Sequence, residues 1–234
     1  MQSSNQLQDM LHSINRKSYP AYKSLKGAYQ FPDYQLFIEH VQGDPFAAPS
    51  ALRIFVPHSK AKFPERYYWD KCSKVALQDA LLRRFAEISA KFCYQAKGSG
   101  KSGVIQVSHC GQEVLERTAC EITKEGIHIR FFVGFPANGR TINSGELEKI
   151  LFDFLPACVE NTFFYKNINQ KELEQTIFLA EDQQAIREQL KERGLVAFVA
   201  NGSILPRQSG NSDLPMKDAV PFQSPKSMEI TIQL

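Results

Sequence analysis

Cys120-Glu121-Ile122-Thr123-Lys124-Glu125-Gly126-Ile127-His128-Ile129-Arg130-Phe131-Phe132-Val133 is the stretch on which the fold turns. Cys120, Ile122, Ile127, Ile129, Phe131 and Val133 share one side of a period-two pattern. Glu121, His128 and Arg130, with Arg117 ahead of them, share the other. With Lys124-Glu125-Gly126 as the turn, the pattern predicts a β-hairpin over about residues 114–133 that packs one face and wets the other.

Upstream lie the elements that such a hairpin needs. After Ser73, read as an N-cap, Leu77, Leu81, Phe85, Ile88 and Phe92 make an apolar helical stripe, while Arg83, Arg84, Glu87 and Lys91 face away. Before it, Leu36, Ile38 and His40 mark a strand over 35–41, and Leu52, Ile54 and Val56 mark another over 51–56. Residues 42–50 join them as a turn, since Gly43, Pro45 and Pro49 forbid helix. Leu7, Met10, Leu11 and Ile14 give a first short helix. A short strand over 104–107 follows the loop Lys97-Gly98-Ser99-Gly100-Lys101-Ser102-Gly103.

Downstream, Leu147, Ile150, Leu151 and Phe154 form a helix that Pro156 kinks or stops. Another helix runs from the Asn169 cap, with Glu172 at its third position, to Arg193-Gly194. Residues 195–200 read as a buried strand, and the chain then becomes loop-rich. Met228, Ile230, Ile232 and Leu234 form a last apolar row, inside which the chain stops. The expectation is an α+β fold, a mixed or antiparallel sheet packed by several helices. It occupies residues 1–200, and 201–234 are a linker and first strand leading into a further domain beyond.

Composition narrows the function less than the pattern narrows the fold. The 234 residues carry 28 Lys and Arg against 25 Asp and Glu, so an anionic partner would have to meet a local patch. The cysteines at 72, 93, 110, 120 and 158 show no metal spacing and read as reduced thiols, which with the absence of a leader or spanning segment implies a cytoplasmic protein without membrane contact. His12, His40, His58, His109 and His128 are scattered, so neither a metal site nor a catalytic residue is expected.

Gly98-Ser99-Gly100-Lys101-Ser102 ends as a GxxxxGK[ST] phosphate loop does, but the first glycine of that pattern would fall on Gln95. The element order is also wrong, helix-loop-strand in place of strand-loop-helix, so no helix N-terminus aims at a phosphate. The loop reads as flexible or anion-touching, with Lys97 and Lys101 as its charges.

Five ordered motifs carry a resemblance: QGDPFAAPS at 42–50, GSGKSG at 98–103, GQEVLERTA at 111–119, VGFPANGRTI at 133–142 and LVAFVANGSILPRQSGNSD at 195–213. The chain resembles the N-terminal region of the predicted ABC-class ATPase family, with Ala51 and Phe135 departing from the usual Arg and Leu. The resemblance implies an accessory module of an ATP-binding protein whose Walker A loop, Walker B carboxylates and signature sequence lie beyond Leu234. ATP with Mg then belongs to the full-length protein and no cofactor to this chain. The implied partners are the missing C-terminal ATPase domain and a second copy in a homodimer. The isopentenyl-diphosphate isomerase label of some members fits nothing here, since no metal ligands are arranged with an acid and a base.

Candidate contacts follow from the motifs. Asp44 is either a turn device or the best acidic ligand. Arg117 and Arg130, as diagonal neighbours on the hairpin's polar face, either hold a phosphate together or are neutralised by Glu116 and Glu121. Arg140 closes a Gly-rich turn that suits a close approach to a ligand or partner. Arg207, Ser209, Gly210, Ser212 and Asp213 make an interdomain loop. The competing reading is an RNA-binding module that uses Lys23, Lys26, Arg83, Arg84, Lys97, Lys101, Arg117, Arg130 and Arg140 beside exposed Tyr67, Tyr68 and Trp69.

Overall fold

The computed structural model describes residues 1–232. A β-strand, β1 (Gln2–Ser3), leads into helix α1 (Ser4–Ile14), and a 3-10 turn then feeds β2 (Gly27–Gln30), β3 (Gln35–His40) and β4 (Ser50–Pro57). A short α2 (His58–Ala61) precedes the long α3 (Lys71–Phe92). Then come β5 (Ile105–Gln106), β6 (Cys120–Ile122), β7 (Gly126–Val133) and a small hairpin of β8 (Ala137–Asn138) and β9 (Thr141–Ile142). Three helices close the series: α4 (Ser144–Lys149), α5 (Leu155–Phe163) and α6 (Gln170–Leu190). The fold is α+β, as the pattern predicts.

The main sheet runs β1-β2-β3-β4-β7, and β5 and β6 share the far side of β7. Among the described residues only β1 with β2 is parallel, and the other pairs of this sheet are antiparallel. Leu36 and Ile38 of β3, Leu52, Ile54 and Val56 of β4, and Ile127, Ile129, Phe131 and Val133 of β7 all point to one face and are buried. Helices cover that face; α3 brings Leu77, Leu81 and Phe85, and Phe85 meets Phe131 and Phe163 at centroid distances of 5.2 and 5.9 Å. Apolar burial of this kind is the main stabilising term of the fold.

The other face is open, and its side chains interlock with one another. Arg53 lies 3.8 Å over the Phe37 ring, donates to Glu39 at 2.7 Å, and sits 3.1 Å from Nδ1 of His128, which packs on Phe55. The alternation read from the sequence therefore sorts β4 and β7 correctly.

Several boundaries differ from expectation for physical reasons. The first hairpin strand is only three residues long, because Arg117 turns back to α3 and pulls residues 111–117 off the sheet. Asp70 is the N-cap of α3; its carboxylate accepts from the backbone of Cys72 and Ser73. Pro156 does not stop its helix. A π-turn over residues 150–154 precedes it, with Leu155 N–H reaching back five residues to Ile150 O, and the helix continues to Phe163. Asn169 caps α6 as expected, accepting from Glu172 N at 3.3 Å.

Residues 195–200 are not a buried strand: Val196 is 98% exposed, and no strand edge among the described residues pairs with the segment. Residues 228–232 form no strand either, and Leu234 lies outside the described residues. Among the described residues no helix is long and apolar enough to cross a membrane.

Candidate functional site

Ser50 pairs with Val133, so β4 begins where β7 ends, and three motif-bearing segments meet at that corner of the sheet. Gln42 organises the meeting. Its side chain is buried, Oε1 accepts from Ser50 N at 3.2 Å and from Phe135 N at 3.1 Å, and Nε2 donates to Asp44 O at 3.1 Å. Ser50 Oγ returns the contact by accepting from Gln42 N at 3.1 Å. A buried amide satisfied at both ends fixes the geometry of its loop.

Two tyrosines close the corner from below. Tyr19 donates to Phe135 O at 2.9 Å and Tyr22 to Pro136 O at 2.6 Å, their rings and that of Phe135 packed edge to face. Burial pushes both phenols well above the usual tyrosine range, so they remain donors. Sequence reasoning missed Gln42, Tyr19 and Tyr22. The available signal was a polar residue that leaves a strand straight into a Gly-Asp-Pro turn.

Residues 97–103 lie against this frame, and four of their N–H groups are bonded to it. Lys97 N donates to Glu146 Oε2 at 2.8 Å, Ser99 N to Ala137 O at 2.7 Å, Lys101 N to Pro45 O at 2.8 Å and Gly103 N to Gly134 O at 2.9 Å. Ser102 Oγ donates to Ser99 O at 2.6 Å and accepts from Ala137 N at 3.1 Å. Gly103 has φ +74°, and a Cβ on Gly134 would stand 1.7 Å from Lys101 O, so both glycines are required by close packing. A phosphate grip needs free N–H groups converging on one point. Here four of them end separately, on the carbonyls of Ala137, Pro45 and Gly134 and on the Glu146 carboxylate, so the loop is a clasp.

What the clasp leaves outward is side chains. Asp44 Oδ1 accepts from Phe46 N at 3.0 Å and Oδ2 from Arg140 Nε at 2.6 Å; first that backbone N–H and then the guanidinium hold its carboxyl below the usual range. Asp44 is therefore a turn device and an ion-pair partner together. Lys97 donates to Tyr94 O at 3.1 Å, Lys101 is exposed, and Phe46 stands out into solvent. The neighbouring chain adds charge: Arg16 N donates to Ile142 O at 3.1 Å and Ile142 N to Lys17 O at 2.9 Å. Arg16, Lys17, Lys97, Lys101 and Arg140 thus gather around the β8–β9 hairpin and the clasp, faced by Asp44 and Glu146.

The remaining candidates lie elsewhere. Arg117 and Arg130 do not share a site. Arg117 pairs with buried Asp79 on α3, whereas Arg130 donates to Thr118 O at 2.5 Å and to Glu121 at 3.1 Å. The residues of the RNA reading differ in their surroundings. Arg83 joins Asp79, Arg84 donates to the carbonyls of Asn161 and Asn167, Tyr67 is buried and Tyr68 stacks on His58. Lys23, Lys26 and Trp69 are exposed. Arg207, Ser209, Gly210, Ser212 and Asp213 form an exposed hairpin in which Gln208 N donates to Leu214 O at 2.9 Å and Met216 N to Pro206 O at 2.9 Å. Among the described residues no group of His, Cys, Asp or Glu is placed to hold a metal ion. The thiols are free, and burial pushes Cys158 up to about 12.

Comparison with known families agrees with the motif reading and corrects one part of it. Residues 4–166 match the family model described as ATPase of the ABC class N-terminal, and residues 169–234 match that of its P-loop domain. The expectation that the ATPase domain is a partner missing from the chain is overturned, because α6 and the loop-rich segment after it fall within the P-loop match. No curated protein matches the chain. On the match that spans its whole folded N-terminal part, the chain belongs to the family of ATPases of the ABC class.

Proposed function

We propose that residues 4–166 act as the accessory module of an ABC-class ATPase and that the corner formed by residues 42–50, 97–103 and 134–142 is its contact surface for the nucleotide-handling part. The supporting observation is convergence. Three motifs far apart in sequence are tied into one rigid frame by Gln42, Ser102 and main-chain hydrogen bonds, and they leave Lys97, Lys101 and Arg140 outward. A frame of that stiffness suits transmission of force between parts better than it suits chemistry.

In this reading the nucleotide is ATP with Mg, held by P-loop residues, while residues 97–103 take no part in gripping it. The five free thiols are in keeping with a cytoplasmic protein. The test is ATP turnover and ATP affinity of the whole protein carrying Lys101→Ala or Arg140→Ala. Slower turnover with unchanged affinity is expected. Loss of ATP binding in Lys101→Ala would return residues 97–103 to the role of a phosphate loop, and unchanged turnover in both variants would remove the corner's role.

A further inference from the structure

A cavity of about 870 Å³ lies away from that corner, where the first turn of α3, residues 112–115 and one side of α6 meet. Its wall is apolar around Val75, Val114, Leu115, Leu179 and Ala180. Leu115 is 51% exposed, and Val114 and Leu179 are exposed with it. A concave apolar surface of this kind is a place that a second surface covers.

The exposed hairpin of residues 206–216 presents apolar groups too. Leu214 is 63% exposed, and Leu205 and Met216 stand out with it. The hairpin is already tied to the rim: Gln112, which lines the cavity, donates from Nε2 to Asp213 O, and His109 faces the Asp213 carboxylate at 4.0 Å. Leu214 follows the tied carbonyl by one residue, and Val114 follows Gln112 by two. Consecutive Cα atoms are about 3.8 Å apart, so a swing about the tie brings the two apolar surfaces together.

We propose that the hairpin of residues 206–216 is a strap that closes over this groove and seats Leu214 and Met216 against Val114, Leu115 and Leu179. One wall, α3 with residues 112–115, lies in the N-terminal family match; α6 and the strap lie in the P-loop match. A closed strap therefore locks the two matched segments together. The proposal rests on the family assignment and not on the corner's role, so the two can fail separately.

Cross-linking tests it without any assay of nucleotide turnover. Leu214→Cys is made with Cys93→Ser and Cys110→Ser, so that Cys72 on the groove wall is the accessible native thiol. A short bismaleimide is added, and the linked peptides are identified by mass spectrometry. We expect a link from the introduced thiol to Cys72 within one chain, forming several-fold faster than from a Val220→Cys control outside the hairpin. Gln112→Ala, which cuts the tie, and Leu115→Asp, which charges the groove, are each expected to slow it several-fold. Leu115 is exposed, and circular dichroism verifies that each variant is folded. Equal rates for the two introduced thiols overturn the strap, and links formed only between chains overturn it in favour of a second copy as the occupant.

Discussion

Arg117 reaches back from the segment ahead of β6 to the carboxylate of Asp79, which is 3% exposed on α3, and Arg83 closes on the other oxygen at 2.5 Å. Two guanidiniums thus share one buried carboxylate and pin residues 111–119 to the helix. Asp79→Ala is expected to lower unfolding free energy by about 2 kcal/mol or more, short of the ~3–5 kcal/mol of a wholly buried pair because Arg83 is partly exposed. Glu121→Gln, which breaks the exposed pair with Arg130, should cost under ~1 kcal/mol. Urea denaturation of the two variants checks the contrast, and similar losses would refute the anchoring role of Asp79.

The clasp predicts a ranking. Ser102→Ala leaves Ala137 N without its acceptor and should cost about 1–3 kcal/mol, the penalty of an unsatisfied buried donor. Gly134→Ala should cost more, since its Cβ would meet a backbone oxygen that cannot yield without moving the loop. Thermal unfolding of both variants tests the order.

His128 gives a pH dependence. Burial first, then the charges of Arg53 and Arg130, hold its pKa below the ordinary 6.5. The folded ring meets Arg53 at an unprotonated Nδ1, so the unfolded chain takes up the proton first. Stability from this site is intact above 6.5, declines as pH falls below it, and levels off once the folded ring is also protonated. His128→Gln should flatten that part of the profile; urea midpoints on either side of 6.5 would show it.

Lys101 and Arg140 predict a separation of stability from function. Lys101 has an exposed side chain, and Arg140 makes an exposed ion pair, so either alanine variant should shift unfolding free energy by no more than ~0.5–1 kcal/mol. A large loss of stability in either would mean that the corner is held by its side chains and not by the clasp.

Much of the fold was legible because burial follows local pattern. The alternation in residues 120–133 named the buried row of β7, the stripe from Leu77 to Phe85 named the packed side of α3, and Asn169 with Glu172 marked the start of α6. The pattern failed where a distant partner decided the outcome. Residues 114–119 alternate plausibly enough for a strand, yet Arg117 finds Asp79 and residues 114–117 leave the sheet. Residues 195–200 have the composition of a buried strand but no edge to join among the described residues. β1 and β2 were missed because strands of two and four residues are too short for a period to show.

By itself the sequence determined the buried rows of β4, β7 and α3, since an apolar side chain at a given period has the same face whatever it packs against. The spacing and the helix-loop-strand order of residues 97–103 also depart from the phosphate-loop pattern. Only the tertiary structure decided where the polar groups go. The N–H groups of Lys101 and Gly103 end on the carbonyls of Pro45 and Gly134, residues far away along the chain. A hydrogen bond is directional and short, so its partner is set by the packing of whole elements and cannot be read from either end alone.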